Sequence, residues 1–137
     1  MTSPARQNEI RAIWERANDS LAAAQVLLDS GHPDVAAARA YYAAFYAACA
    51  LLLSEGKEYS RHGSVIGAIH KDFVRTRRLS GEQGRVLGWL FELRGLGDYG
   101  ETRHVSEGDA RESIPAARQF LDACRELLRA NGLEVTG

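Results

Sequence analysis

VAAARAYYAAFYAACALLL, residues 35–53, is the stretch that decides the fold. Between Asp34 and Ser54 the sequence is apolar nearly all round and dominated by alanine. A helix at a protein surface keeps a polar face; one without such a face is enclosed by neighbours, and alanine side chains let those neighbours come close. The stretch therefore predicts a central helix over 34–54, packed on several sides.

Working outward, Ile10, Trp14, Ala17, Leu21, Ala24 and Leu28 recur at spacings of four and three. They line one face of a first helix over about 4–30, which Gly31 and Pro33 close. After the central helix, SEGKEYSR breaks the apolar pattern, and His62, Ile66, Ile69 and Phe73 then share a face of a shorter helix over roughly 62–75. Ser80 with Gln83 has capping-box spacing and opens a helix carrying Val86, Leu90 and Leu93, expected to run out near Gly95 to Gly97. Ser106 with Asp109 is a further start signal, followed by Ile114, Ala117, Leu121, Cys124 and Leu128 at helical spacing. The tail after Asn131 is expected to be loose. No segment alternates with strand period, and there is no repeat, low-complexity tract or linker. The expected fold is all-α: an up-and-down four-helix bundle with an additional short helix, one domain over 1–137 with its core at about 8–130.

A length of 137 residues suits one compact domain. With a net charge of -1 there is no overall positive field to draw nucleic acid, so any RNA contact must come from a local cluster. Cys49 and Cys124 fall in apolar runs, without metal-site spacing or the density of a disulfide scaffold, and read as core residues of a protein in a reducing compartment. MTSPARQNEIRAIWER is charged and lacks an apolar signal region, and no run approaches the roughly eighteen apolar residues of a membrane span. A soluble, cytoplasmic protein is the expectation.

Three places carry candidate chemistry. Arg39, Tyr42 and Tyr46 stand at i, i+3 and i+7, so one face of the alanine-lined helix holds a cation and two phenols. They are either packed aromatics with a paired arginine or one wall of a polar pocket between helices. Arg61 and His62 open a helix, where free backbone N–H groups and the helix dipole favour anions such as phosphate. His62 and His70 are not an i, i+4 pair and no acid stands at ligand spacing, so no metal site and no cofactor are expected. In FELRGLGDYGE, residues 91–101, Arg94 and Asp98 are i, i+4 neighbours if the helix continues, which makes an ordinary ion pair worth a few tenths of a kcal/mol. Gly95 and Gly97 each cost a helix interior about 1 kcal/mol. Looser backbone there would let Tyr99, about 140° round an ideal helix from Arg94, swing to the same side.

Taken together, RAYYAAFYAACALLL, RHGSVIGAIHKDFV, LFELRGLGDYG and VSEGDARESIPAARQFLDACRELL, in this order over about residues 8–130, resemble the small stand-alone HEPN proteins of bacteria and archaea. The resemblance implies a helical bundle that dimerises, often paired with a minimal nucleotidyltransferase as antitoxin. In many members it also implies a metal-independent endoribonuclease toxin whose motif is an arginine, a polar residue, and a histidine four to six residues on. Carried over, the arginine is Arg94; Gly95 stands at the polar position and Tyr99 where histidine would be, giving Arg-x4-Tyr, with His104 beyond the spacing. Tyr99 also stands loosely where toxin members carry the tyrosine to which the partner attaches AMP. The candidate catalytic residues are thus Arg94 and Tyr99, carried over by the resemblance, with Asp98 beside them; the candidate RNA- or nucleotide-binding set, from the helix faces above, is Arg39, Tyr42, Tyr46, Arg61 and His62. An unperturbed phenol titrates near 10, far from the neutral range in which histidine exchanges protons, so binding is easier to support from this motif than turnover. A non-catalytic dimeric module that binds a nucleotidyltransferase is the alternative. A homodimer is expected on either reading, because the central helix and the fourth helix offer more apolar surface than one small bundle covers.

Overall fold

The structure, a computed structural model, describes residues 2–99 and 102–137, with Tyr99 described as backbone only. Its helices are α1 (Pro4–Asp29), α2 (Pro33–Ser54), α3 (His62–Ile69), α4 (Gly81–Tyr99) and α5 (Glu107–Ala130), and a single π-helical turn, His70–Val74, continues α3. Among the described residues there is no strand. The all-α bundle with one short helix is the architecture that the hydrophobic periodicity predicts.

α2 is the hub, packing on α1, α3, α4 and α5. Every alanine from Ala36 to Ala50 is buried, as are Leu51, Leu52 and Leu53. By length and composition α2 could cross a membrane, which corrects the expectation that no run comes close. Its most apolar window is 67% buried within the protein, as befits a core helix. Around it pack Ile10, Trp14 and Leu21 of α1, Leu87 and Leu90 of α4, and Phe120, Leu121 and Leu128 of α5.

Ser80 and Ser106 open their helices as expected: Ser80 Oγ accepts from the Gln83 amide at 3.1 Å and Ser106 Oγ from the Asp109 amide at 3.0 Å, but Gln83 Oε1 makes no return bond, so the capping box is half formed. Ser3 Oγ caps α1 in the same way, accepting from the Arg6 amide at 3.1 Å. Each satisfies an amide that the first helical turn leaves open. Cys124 is fully buried and its thiol pKa is pushed up by desolvation, while Cys49 is half-buried and its thiol is pushed up to about 11, mainly by burial and then by Glu58.

Two expectations are corrected. α4 does not run out at Gly95 to Gly97 but stays helical to Tyr99. Gly97 crosses the start of α2 so closely that a Cβ there would lie 2.5 Å from the Asp34 carbonyl oxygen; glycine serves contact, not looseness. The tail is not loose either. Gly132, at φ 86°, turns the chain back after α5, so that Leu133 and Val135 are buried and the Thr136 carbonyl accepts from Trp14 Nε1 at 2.9 Å and from Asn18 Nδ2 at 2.8 Å.

Candidate functional site

α2, α3 and α4 bring basic and aromatic side chains into one cluster. Neighbours on α2 face different ways: Tyr41 is fully buried and Tyr42 half-buried, and their rings meet edge to face at 5.3 Å. Arg94 of α4 donates from Nη2 to the Tyr42 hydroxyl at 3.1 Å, and its Nε lies 3.1 Å from Asp98 Oδ2, one turn further on. Arg39, one turn before Tyr42 on α2, lays its guanidinium 4.4 Å from the same Tyr42 ring, with the Arg94 guanidinium at 5.6 Å. Two cations thus flank one electron-rich ring, with the Asp98 carboxylate beside Arg94, an arrangement able to present positive charge to an anion.

Below it, His62 Nδ1 and the Tyr41 hydroxyl are 2.6 Å apart, and the imidazole stacks on Phe45 at 4.3 Å, with Phe91 at 6.3 Å. Burial, and secondarily the Arg94 charge, depress the His62 pKa below its ordinary value. Burial pushes the Tyr41 phenol up. Both groups are neutral at neutral pH, which fits a phenol O–H donating to Nδ1 with the ring proton on Nε2. The His62 ring is thus part of the aromatic cluster at the start of α3.

Of the residues singled out in the sequence, Arg39, Tyr42, His62, Arg94 and Asp98 come together. Tyr46 is at the edge, its ring 6.2 Å from Tyr42, forming with Phe45 and Cys49 the wall of an apolar cavity of about 230 Å³. Arg61 is exposed at the N-cap of α3, and no hydrogen bond or ion pair links it to the cluster among the described residues. Tyr99 continues α4 five positions beyond Arg94, and its side chain lies outside the described residues. No group of three or more His, Cys, Asp or Glu residues capable of holding a metal occurs among the described residues.

The sequence reading missed Tyr41, Phe45 and Phe91, which look like any other core residue in an apolar run. It also missed Asp34, whose carboxylate accepts from the Val105 amide at 2.7 Å and meets His104 Nδ1 at 2.7 Å. That contact fixes the chain entering α5 against the start of α2, beside the Gly97 crossing. An acid directly after Pro33 in a first helical turn was the available signal.

Residues 10–127 match the HEPN domain family. A "UPF0332 protein" of Thermotoga maritima is 37% identical over 123 residues, covering 89% of this chain and 93% of that one. A Methanocaldococcus jannaschii protein named "Putative toxin" is 33% identical over 90% of this chain and 91% of its own, and a "UPF0332 protein" of Gloeobacter violaceus is 36% identical over 88% and 96%.

Proposed function

The chain belongs to the HEPN domain family, and from that premise we propose that it binds RNA through Arg94 and Arg39 and cleaves it weakly without a metal. In this reading it acts as the toxin of a pair completed by a nucleotidyltransferase. The observation that carries the proposal is Arg94 itself. Its side chain is only 16% exposed, and Tyr42 and Asp98 hold its guanidinium in place. A guanidinium held in one orientation binds a phosphate with little further loss of side-chain freedom and stabilises charge that builds on it during attack by the 2′-hydroxyl. Tyr99 supplies the acid/base group of the motif, with an ordinary phenol's mismatch to neutral pH. A homodimer in the cytoplasm would double the positive field. The toxin role is supported by the name of the Methanocaldococcus relative.

A second reading, a non-catalytic module that binds the nucleotidyltransferase, is favoured by one feature: Tyr99 stands where the family motif has histidine. The test is purified protein with total RNA, with and without EDTA, as wild type, Arg94→Ala and Tyr99→His. Cleavage should survive EDTA, fall about a hundredfold or more in Arg94→Ala, and rise in Tyr99→His. Inactive wild type and Tyr99→His protein that still binds RNA through Arg94 would leave the binding module standing and remove the nuclease.

A further inference from the structure

We propose that the turn between α3 and α4 is a second RNA contact, in which Lys71, Arg75 and Arg77 hold backbone phosphates; the proposal rests on the RNA-binding reading above. Residues 70–85 contain five basic and two acidic residues in a chain whose net charge is -1. The neighbouring charges divide unevenly. Arg78 grips Glu55 with both terminal nitrogens, at 2.6 and 2.8 Å, and lies 4.1 Å over the Phe73 ring, while Asp72 is taken by Lys57 at 2.9 Å. Lys71, Arg75 and Arg77 are exposed and have no acidic partner among the described residues. Arg85, its guanidinium beside Gly81 at the start of α4, is a fourth such cation next to the same turn.

The backbone beneath these cations is unusual in two independent ways. The helix widens into the π turn His70–Val74, a distortion that recurs at functional positions. Arg77 then sits at φ 64°, a left-handed conformation that favours glycine over a long side chain. The Arg77 side chain takes no part in closing the turn, which is held by Arg77 N to Val74 O at 3.0 Å, Arg78 N to Phe73 O at 2.8 Å, Leu79 N to Phe73 O at 2.9 Å and the Thr76 hydroxyl on the Asp72 carbonyl at 2.7 Å. A strained position held by a solvent-facing cation points to a role outside the fold.

Placement favours RNA over an acidic protein as the occupant. The π turn packs on Gly84 through Val74 and His70, whereas His62, at the other end of α3, packs beside Phe91 and Arg94. α3 therefore runs antiparallel to α4, with the basic turn at the opposite end of α4 from the Arg94 cluster. Ten helical residues rise about 15 Å, a span that a few nucleotides of one strand cover.

The test is fluorescence anisotropy of a labelled single-stranded oligoribonucleotide across a salt series, comparing wild type, Arg94→Ala and the triple variant Lys71→Gln, Arg75→Gln, Arg77→Gly. Glycine suits the backbone at 77, so the triple variant should melt no lower than wild type. Three lost phosphate contacts should make the slope of log K against log salt shallower by about 2, against about 0.7 for Arg94→Ala. A triple variant with the wild-type slope and affinity, while Arg94→Ala still binds more weakly, overturns the second contact and leaves the Arg94 site intact. The same result accompanied by lost binding to a nucleotidyltransferase partner assigns the turn to protein and also overturns it. Wild type that binds no RNA at any salt removes both readings together.

Discussion

Gly95 and Gly97 lie one residue apart near the end of α4, and alanine substitution should move stability in opposite directions at the two. A Cβ on Gly95 meets nothing within 4 Å. Gly95→Ala therefore keeps only the propensity gain of alanine over glycine, up to about 1 kcal/mol. A Cβ on Gly97 would sit 2.5 Å from the Asp34 carbonyl oxygen and 3.2 Å from its carbon. That oxygen is main chain in the first turn of α2 and cannot swing aside as a side chain would, and the Asp34 carboxylate is itself tied to Val105 and His104. The helices must part, at a cost of about 1–3 kcal/mol for an overpacked contact, which leaves Gly97→Ala destabilised by up to about 2 kcal/mol after the propensity gain. Because both variants share that gain, they should differ by the overpacking cost, about 1–3 kcal/mol, or on the order of 10 °C in melting midpoint for a domain of this size. Thermal unfolding by circular dichroism reads this directly. RNA binding adds a second measure, because separating α4 from α2 moves Arg94 away from Tyr42; affinity should drop in Gly97→Ala and hold in Gly95→Ala. Equal midpoints for the two variants, or a destabilised Gly95→Ala, would refute the close-crossing argument.

Acidification should destabilise the fold through His62: its folded pKa is depressed, so the unfolded chain binds the extra proton first. Stability is full above the ordinary histidine value of about 6.5, declines as pH falls from there toward the lower folded value, and levels off below it. Melting midpoints against pH should show this decline in wild type and lose that component in His62→Gln. Deleting residues 133–137 should cost on the order of 4 kcal/mol, since it exposes the surface covered by Leu133 and Val135 and strips Trp14 Nε1 of its acceptor; urea titration that finds the truncated chain as stable as wild type would contradict the packed tail. Tyr42→Phe should leave stability within about 1.5 kcal/mol of wild type but weaken RNA binding, because it removes only the hydroxyl that orients Arg94.

What could be read in advance follows the range of the interaction involved. Helix starts at Ser3, Ser80 and Ser106 depend on residues three apart, and the enclosed character of α2 depends on its own composition, so the sequence displays both. The continuation of α4 through two glycines depends on Asp34, more than sixty residues away. Periodicity has no access to such a contact, and local propensity points the wrong way. The tail fails for the same reason: GLEVTG is short and polar enough to look loose, and only the pocket on α1 that receives Leu133 and Val135 gives it a place. Tyr41 and His62 were visible as residues, but that they meet through a 2.6 Å hydrogen bond, in surroundings whose burial depresses the imidazole pKa, is a fact of how α3 docks on α2.

Arg94 and Asp98 bear on how a bland and a functional reading of one pair should be weighed. The i, i+4 ion pair is formed, at 3.1 Å, as an ordinary helix would have it. An exposed pair of this kind contributes little to stability. This one has the Tyr42 hydroxyl as a further contact and sits where two helices press an arginine against a tyrosine already flanked by Arg39. Its value lies in direction: with Nη2 donating to Tyr42 and the Asp98 carboxylate 3.1 Å from Nε, the guanidinium is held in place before any phosphate arrives. The ion pair and the anion site are thus successive uses of the same side chain, and Asp98→Asn should weaken RNA binding by freeing the guanidinium even though it removes a negative charge. A purely electrostatic role for Asp98 gives the opposite sign, tighter binding in Asp98→Asn, and anisotropy titrations at one salt concentration separate the two.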